Sequence, residues 1–347
     1  MSWKFKQRNE FAKVKENFFN NCIAKGHDYA FVETIWLQIE SFANYAFSKG
    51  HSASYAVESY QALYLKAHYP LEYMTATLNN GGGFYRQELY IHEARMHGAI
   101  IKAPCINISD INCVIKGKTI YLGLQMINEL EDEVKLNIIT ERNKNGSFKD
   151  TKDFIKRVPI SFEQMRLLVR VGGFNFTKKN KKELLWEIHT LISPIKRKDT
   201  SNELFEVVHK EWKLPNLTSS ALDEAFDEIE LLGFSLCSPF ELLREKITNT
   251  LTSKEFVNYQ NQRITIVGYL VNVKNTQTSS GNRMCFGTFI DLEGNWIDTV
   301  HFPPSARQFP FNGPGCYTIT GKVVTEYDFT TIEVEQMKRL AVVDREI

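Results

Sequence analysis

The run FSKGHSASYAVESYQALYLKAHYPLEYMTATL, from Phe47 to Leu78, decides how the rest of the chain is read. Gly50 stands just ahead of Ser52, whose hydroxyl can cap a helix start. Ala53, Ala56, Val57, Tyr60, Leu63, Tyr64 and Ala67 then recur at three- and four-residue spacing, which makes one helical face. Pro70 ends that helix and can open the next, because its ring suits a first helical turn and not an interior one. Lys49 and His51 fall at the N-terminal end, where free amides already favour anions. On spacing alone the run is an amphipathic core helix with a charged entry loop.

Outward from that run, the chain is 347 residues long, which is too many for one ordinary domain and suits two or three. Its 43% hydrophobic and 24% charged content implies a folded, soluble protein. A net charge of +1 gives no global basic signature for nucleic acid, but the charges are unevenly placed. Residues 1–25 carry six Lys/Arg against two Glu, and residues 177–198 carry seven Lys/Arg against two Glu. Residues 199–232 carry nine Asp/Glu against two Lys. Local basic patches can hold phosphate while an acidic stretch cancels them in the sum. The plain reading of each run is a solvated helix face.

The start MSWKFKQRNEF lacks an apolar core region and is not a secretory signal. No apolar run approaches the roughly 20 residues a bilayer span needs. Cys22, Cys105, Cys113, Cys237, Cys285 and Cys316 are scattered with no CxxC pair, which favours a reducing cytoplasm over a disulfide framework or zinc ribbon. In HEARMH, His92 and His97 are five apart, so on a helix they splay roughly 140° beyond one turn and make no zinc site.

Residues 3–46 read as helical with a break at Gly26-His27, and 86–98 as a helix with Leu89, Ile91 and Ala94 inward. The glycines of NNGGGFY, Asn79–Tyr85, mark a turn, and without a following GK[ST] they are weak as a phosphate cradle. Residues 99–122 read as short strands, with a turn at Lys116-Gly117-Lys118. From Leu124 helical spacing returns, and it includes a helix, a tight Gly172-Gly173 turn and a second helix. Such a hairpin can bind duplex phosphates through backbone amides and nearby cations. The candidates are Arg170, Gly172, Gly173, Lys178, Lys179, Lys181 and Lys182. Residues 263–340 read as about five strands with turns at Ser280-Gly281 and Glu293-Gly294, for which a small closed barrel is the natural solution.

The opening run also resembles the fingers segment of the bacterial family C replicative DNA polymerases. The likeness rests on Phe47, Lys49, His51, Tyr55, Ala56, Tyr60, Gln61, Leu65, Lys66, Ala67, His68, Tyr69 and Pro70, with Gly50 departing from the family's serine. It extends over nearly all of residues 10–340. The family's first hairpin corresponds to Gly123–Glu131, where the turn glycines are missing and Glu129 and Glu131 add negative charge, so phosphate binding is not expected there. The second matches Val169–Asn175. A clamp-docking peptide in the family corresponds to Ser201–Phe205, where Leu204 and Phe205 keep the apolar pair but serine replaces glutamine. Residues Gly281, Arg283, Met284, Phe286, Thr288, Asp291, Gly294 and Phe302 resemble the OB-fold of the same polymerases.

The resemblance implies a multidomain α+β chain. Residues 1–98 would be the helical end of a fingers domain. Residues 99–192 would be short strands plus tandem helix-hairpin-helix, 193–245 a linker and helix with a degenerate clamp peptide, and 246–347 an OB-fold β-barrel. Lys49, His51 and Lys66 would lie near nucleotide or template. Lys274, Arg283, Phe286, Phe289, His301 and Lys322 would hold single strands, through stacking and backbone charge. Roughly half of these six are expected in the core, and Phe286 and Phe289, three apart, are expected on opposite faces.

The family's metal-binding aspartates lie in a palm domain. This chain has no DxD pair, and its Asp150/Asp153 and Asp223/Asp227 spacings suit helix surfaces. No cofactor is therefore expected in the chain itself, with Mg²⁺ belonging to a missing palm-bearing half. The chain is expected to be inactive alone, either a truncated piece or one half of a split gene. The GGGFYRQELYIHEARMHG and KKELLWEI stretches lean towards the error-prone branch. The expected partners are primed duplex and single-stranded DNA, the palm-bearing half and a sliding clamp, with no membrane. The competing readings are a stand-alone OB-fold module for single-stranded DNA or RNA, and a protein scaffold.

Overall fold

The computed structural model describes residues 8–43, 49–192, 220–247, 250–326 and 329–344, and these form two compact units, 1–68 and 69–347. Leu204 and Phe205 lie outside the described residues.

In the first unit, α1 (Arg8–Ala24) and α2 (Tyr29–Ala43) flank the expected break at Gly26-His27. They pack through aromatic rings, with Phe18 5.4 Å and Phe19 6.1 Å from Trp36. Val32 and Trp36 are buried. Helix α3 (Lys49–His68) starts at Lys49, not behind Ser52, so Gly50 is inside its first turn. The apolar face read from spacing is not a core face here. Val57, Tyr60, Leu63 and Tyr64 are all more than half exposed.

In the second unit, α4 (Pro70–Asn79) opens on Pro70 as expected. Helix α5 (Gln87–Met96) buries Leu89, Ile91 and Ala94. Strands β1 (Ile100–Lys102), β2 (Val114–Lys116) and β3 (Thr119–Tyr121) form a small sheet in the order β1-β3-β2. Helices α6 (Asp132–Asn145), α7 (Thr151–Arg157), α8 (Phe162–Arg170), α9 (Lys181–Ile192) and α10 (Ala221–Leu232) follow. One apolar core runs through these elements, from Met74 on α4 to Phe234 just after α10. The packing thus groups α4 and α5 with residues 99–234.

The C-terminal part is a closed five-stranded barrel of β4 (Arg263–Gln277), β5 (Arg283–Ile290), β6 (Trp296–His301), β7 (Cys316–Glu326) and β8 (Phe329–Arg339), in the order β4-β5-β6-β8-β7. Parallel pairing of β6 with β8 and antiparallel pairing of β7 with β4 close it, which is the OB-fold architecture. Closure removes the sheet edges that would otherwise invite other strands. The turns fall at Gly281 and Gly294, both with positive φ. Helix α11 (Pro303–Gln308), between β6 and β7, was not anticipated from the strand pattern.

The barrel is seated on α5. Leu89 packs with Val271 and Ile290. The Tyr269 hydroxyl donates to Glu88 at 3.0 Å, Arg86 donates to the Leu270 carbonyl at 3.2 Å, and the Trp296 indole donates to Glu93 at 3.2 Å. A ring nitrogen of His92 lies 2.9 Å from the Gly294 carbonyl, so the residue that briefly suggested zinc is part of this seam.

Candidate nucleic-acid interface

The hairpin, the barrel and α3 were the three places where sequence put candidate ligand-binding residues. The structure treats them differently.

In the hairpin, Gly172 has φ +89°, a left-handed conformation that glycine adopts freely. A side chain on Gly173 would come within 2.8 Å of the Leu168 carbonyl. The turn is therefore built as the sequence indicated, but its groups are already engaged. The Gly172 and Gly173 amides donate to the carbonyls of Val169 and Leu168, closing α8. At the start of α9, the Asn180 amide donates to Glu183, a carboxylate standing where a phosphate would sit.

The hairpin cations are largely neutralised by α10. Arg170 donates from Nε at 3.0 Å and from Nη2 at 2.7 Å to Asp227, and also to Glu230. Lys181 lies 3.0 Å from Asp227 and 2.9 Å from Glu224. Lys181 and Asp227 are buried, and Arg170 is largely covered. Arg170 and Lys181 are thus corrected from duplex-binding candidates to members of an internal ion-pair network, and Asp227 from a surface residue to its buried centre. Hydrogen bonds that Arg170 donates to Glu230 and Asp227 push its pKa upward, against the effect of its burial. The exposed hairpin cations are Lys178, Lys179 and Lys182, of which Lys179 pairs with Glu187 at 2.7 Å and Lys182 lies 3.6 Å from Asp223. Surface pairs of this kind are weak and yield readily to another anion.

In the first hairpin the turn amides at Asn128 and Glu131 are engaged within the protein. Glu129 occupies the left-handed position, at φ +63°, that a turn glycine would take. The Asn128 amide donates to the Leu231 carbonyl, and the Glu131 amide donates to Gln164. These bonds splice the turn to α8 and α10.

On the barrel, strand parity sorts the candidates. Phe289 points inward and is fully buried, 6.0 Å from Tyr317 and 6.2 Å from Phe311. Backbone at Gly268 and Gly287 approaches it so closely that an added Cβ would come within 2.9 Å of its side chain. His301 is also fully buried. Its Nε2 lies 3.0 Å from Thr299 Oγ1, and its Nδ1 has no hydrogen-bond partner. Both residues are core, so neither can stack on a base.

Phe286 points outward, with 40% of its surface exposed, and is paired across the ladder with Lys274. The same register row continues through Val300 and Glu333 to Lys322 and Arg263. Lys274, Phe286 and Val300 therefore form one outward patch. Exposed Arg283 flanks it on β5, held by Asn275 at 3.0 Å. Lys322 is also exposed, but sits on β7, beyond Glu333. Exposed Phe302 follows β6; it belongs to the barrel motif read from the sequence but was not among the six strand-binding candidates. An aromatic face between two cations suits a stacked base with its flanking phosphates.

Burial lowers the His301 pKa to about 4 from its usual 6.5, so the ring is neutral at pH 7 and offers phosphate no charge. The unfolded chain therefore takes up this proton first as pH falls. The neutral ring's contribution is whole above about pH 6.5 and is lost between 6.5 and 4, by up to roughly 3 kcal/mol. Urea midpoints at pH 7 and 4.5 check this. The drop should be smaller in His301→Gln than in the parent, and equal drops would refute it.

On α3, His51 lies in the first turn and Lys66 in the last, roughly 22 Å apart along the axis. Both are exposed, and Lys49 opens the helix. The helix does not gather these three residues into one site. Among the described residues, no group of three or more His, Cys, Asp or Glu is placed to hold a metal ion, and no helix is long and apolar enough to cross a membrane.

Comparison with known proteins fits this layout. Residues 98–184 match the helix-hairpin-helix motif family. The DNA polymerase III subunit alpha of Aquifex aeolicus is 30% identical over 305 residues, covering 86% of this chain and 25% of that protein. The error-prone DNA polymerase of Vibrio parahaemolyticus is 27% identical over 318 residues, covering 88% and 30%. A mitochondrial single-stranded DNA binding protein from S. cerevisiae, 13% identical, covers 24% of this chain and 97% of its own, with a TM-score of 0.21. The OB assignment rests on the strand pairing above and not on that likeness. The chain spans about a quarter to a third of the length of the curated relatives it matches. Along most of its length, the chain is thus similar to one part of the bacterial DNA polymerase III alpha subunits.

Proposed function

We propose that this chain is a DNA-gripping C-terminal part of a polymerase III alpha-type subunit, with template-directed synthesis belonging to the whole enzyme. One observation carries the reading: Lys274 and Phe286 stand side by side on the outer face of a closed five-stranded barrel. In this reading the barrel face holds single-stranded template by stacking and backbone charge. Exposed Lys178, Lys179 and Lys182 touch the duplex behind the active site, and Lys49, His51 and Lys66 face nucleotide or template. A palm-bearing half supplies the aspartates and Mg²⁺, so the chain by itself is inactive. Leu204 and Phe205 would give at most weak docking to a sliding clamp.

The test is a titration of labelled oligonucleotides at several salt concentrations. The reading expects primed DNA to bind more tightly than structured RNA. For a single strand, log affinity should fall with log salt at a slope of about −0.7 per phosphate neutralised. A preference for structured RNA would favour a stand-alone module instead, and absence of binding at low salt would leave a protein scaffold.

A further inference from the structure

The GGGFYR turn between α4 and α5 finds no use in the hairpin or on the barrel's outer face. It carries Phe84, which is 84% exposed, with its ring 5.1 Å from Tyr85 in an edge-to-face pair. The pair presents an aromatic surface to water. The turn is nonetheless fixed. Gly83 passes so close to Tyr90 that an added Cβ would fall 2.5 Å from its hydroxyl, and that hydroxyl accepts the Tyr85 amide. Arg86 ties the end of the turn to the barrel at the Leu270 carbonyl.

Between this turn and the barrel lies a groove of about 340 Å³. Phe84 and Tyr85 form one wall, Phe311 and Pro314 line it from the barrel, and Asn272 comes from β4. Asn272 sits at the β4 bulge, and its amide makes no hydrogen bond to the described residues. Arg86 lines the groove, and exposed Arg339 donates to the Pro314 carbonyl at 2.7 Å. Asn272 and Lys274 are two apart on β4 past the bulge, so they share its outward face, roughly 7 Å apart. The groove therefore leads directly onto the Lys274–Phe286 patch.

We propose that this groove is a second stacking site for single-stranded nucleic acid. An unpaired base lies against Phe84, its edge meets the Asn272 amide, and its backbone passes towards Lys274. Aromatic rings, a free amide that both donates and accepts, and cations at the rim suit a base with its phosphate better than a purely apolar peptide, which would leave the amide unpaired. The turn extends the barrel's track by at least one nucleotide. The proposal rests on the single-strand reading above.

The experiment measures binding of an oligothymidine single strand to the full chain by fluorescence anisotropy. Phe84 touches little besides Tyr85, so Phe84→Ala should fold like the parent, which circular dichroism verifies. The expected result is a roughly 5- to 100-fold loss of affinity, with Phe84→Tyr within about twofold of the parent. A strand carrying 2-aminopurine should be quenched less by Phe84→Ala at saturation than by the parent or by Phe84→Tyr, the remaining quenching belonging to Phe286. If Phe84→Ala binds like the parent while Phe286→Ala weakens, the groove proposal falls and the single-strand reading stands. If the parent binds no single strand at low salt, both fall.

Discussion

Replacing Phe289 with alanine should cost the barrel about 3–5 kcal/mol, while the same change at Phe286 costs less than about 1 kcal/mol. The two residues are three apart on β5, yet one is at the centre of the barrel core and the other faces water. Phe289 closes an aromatic cluster with Phe311 and Tyr317. The backbone at Gly268 and Gly287 is already drawn in against its ring. Truncation would leave a cavity that these glycines have no side chains to fill. Urea unfolding followed by near-ultraviolet circular dichroism measures the loss. Equal stabilities for Phe289→Ala and Phe286→Ala would mean that the barrel parity is wrong.

The second large effect belongs to Asp227. Its carboxylate accepts from Arg170 and Lys181, two cations contributed by α8 and α9; Asp227 and Lys181 are buried and Arg170 is largely covered. Removing it leaves Arg170 paired only with Glu230 and Lys181 only with Glu224, both more exposed acids, and takes away the carboxylate that joins the two cations. Breaking a buried ion pair from one side costs about 3–5 kcal/mol, mostly through the charge left behind. Asp227→Ala should therefore destabilise the helical part by that amount in urea. Lys182→Ala, at the exposed pair with Asp223, should stay within about 1 kcal/mol. A loss under about 1 kcal/mol for Asp227→Ala would show that α10 is not locked to the hairpin by this network.

These two cases mark what could and could not be read beforehand. The period-two rule for strands put Phe286 and Phe289 on opposite faces before any coordinates, and the turn glycines at 281 and 294 framed the barrel. The inward set of α5 followed from helical spacing. The fate of Arg170 and Lys181 could not be read in this way. A run of cations looks alike whether it meets phosphate or a helix that arrives some 50 residues later, and only the fold brings Asp227 to them. The acidic stretch was visible as a cancelling charge, but not as a buried clasp. Helix α3 shows the converse limit. Spacing identified an apolar face correctly as a face, but spacing cannot say what covers it, and Tyr60 and Leu63 stay exposed.

We propose that the outer barrel face, and not the hairpin, is the principal grip on single-stranded DNA. The most direct measurement is the affinity of an oligothymidine strand for Phe286→Ala set beside Lys178→Ala, at one low salt concentration. Phe286→Ala should lose roughly 5- to 100-fold in affinity and Lys178→Ala less than about threefold. A large loss at Lys178 with none at Phe286 would contradict it.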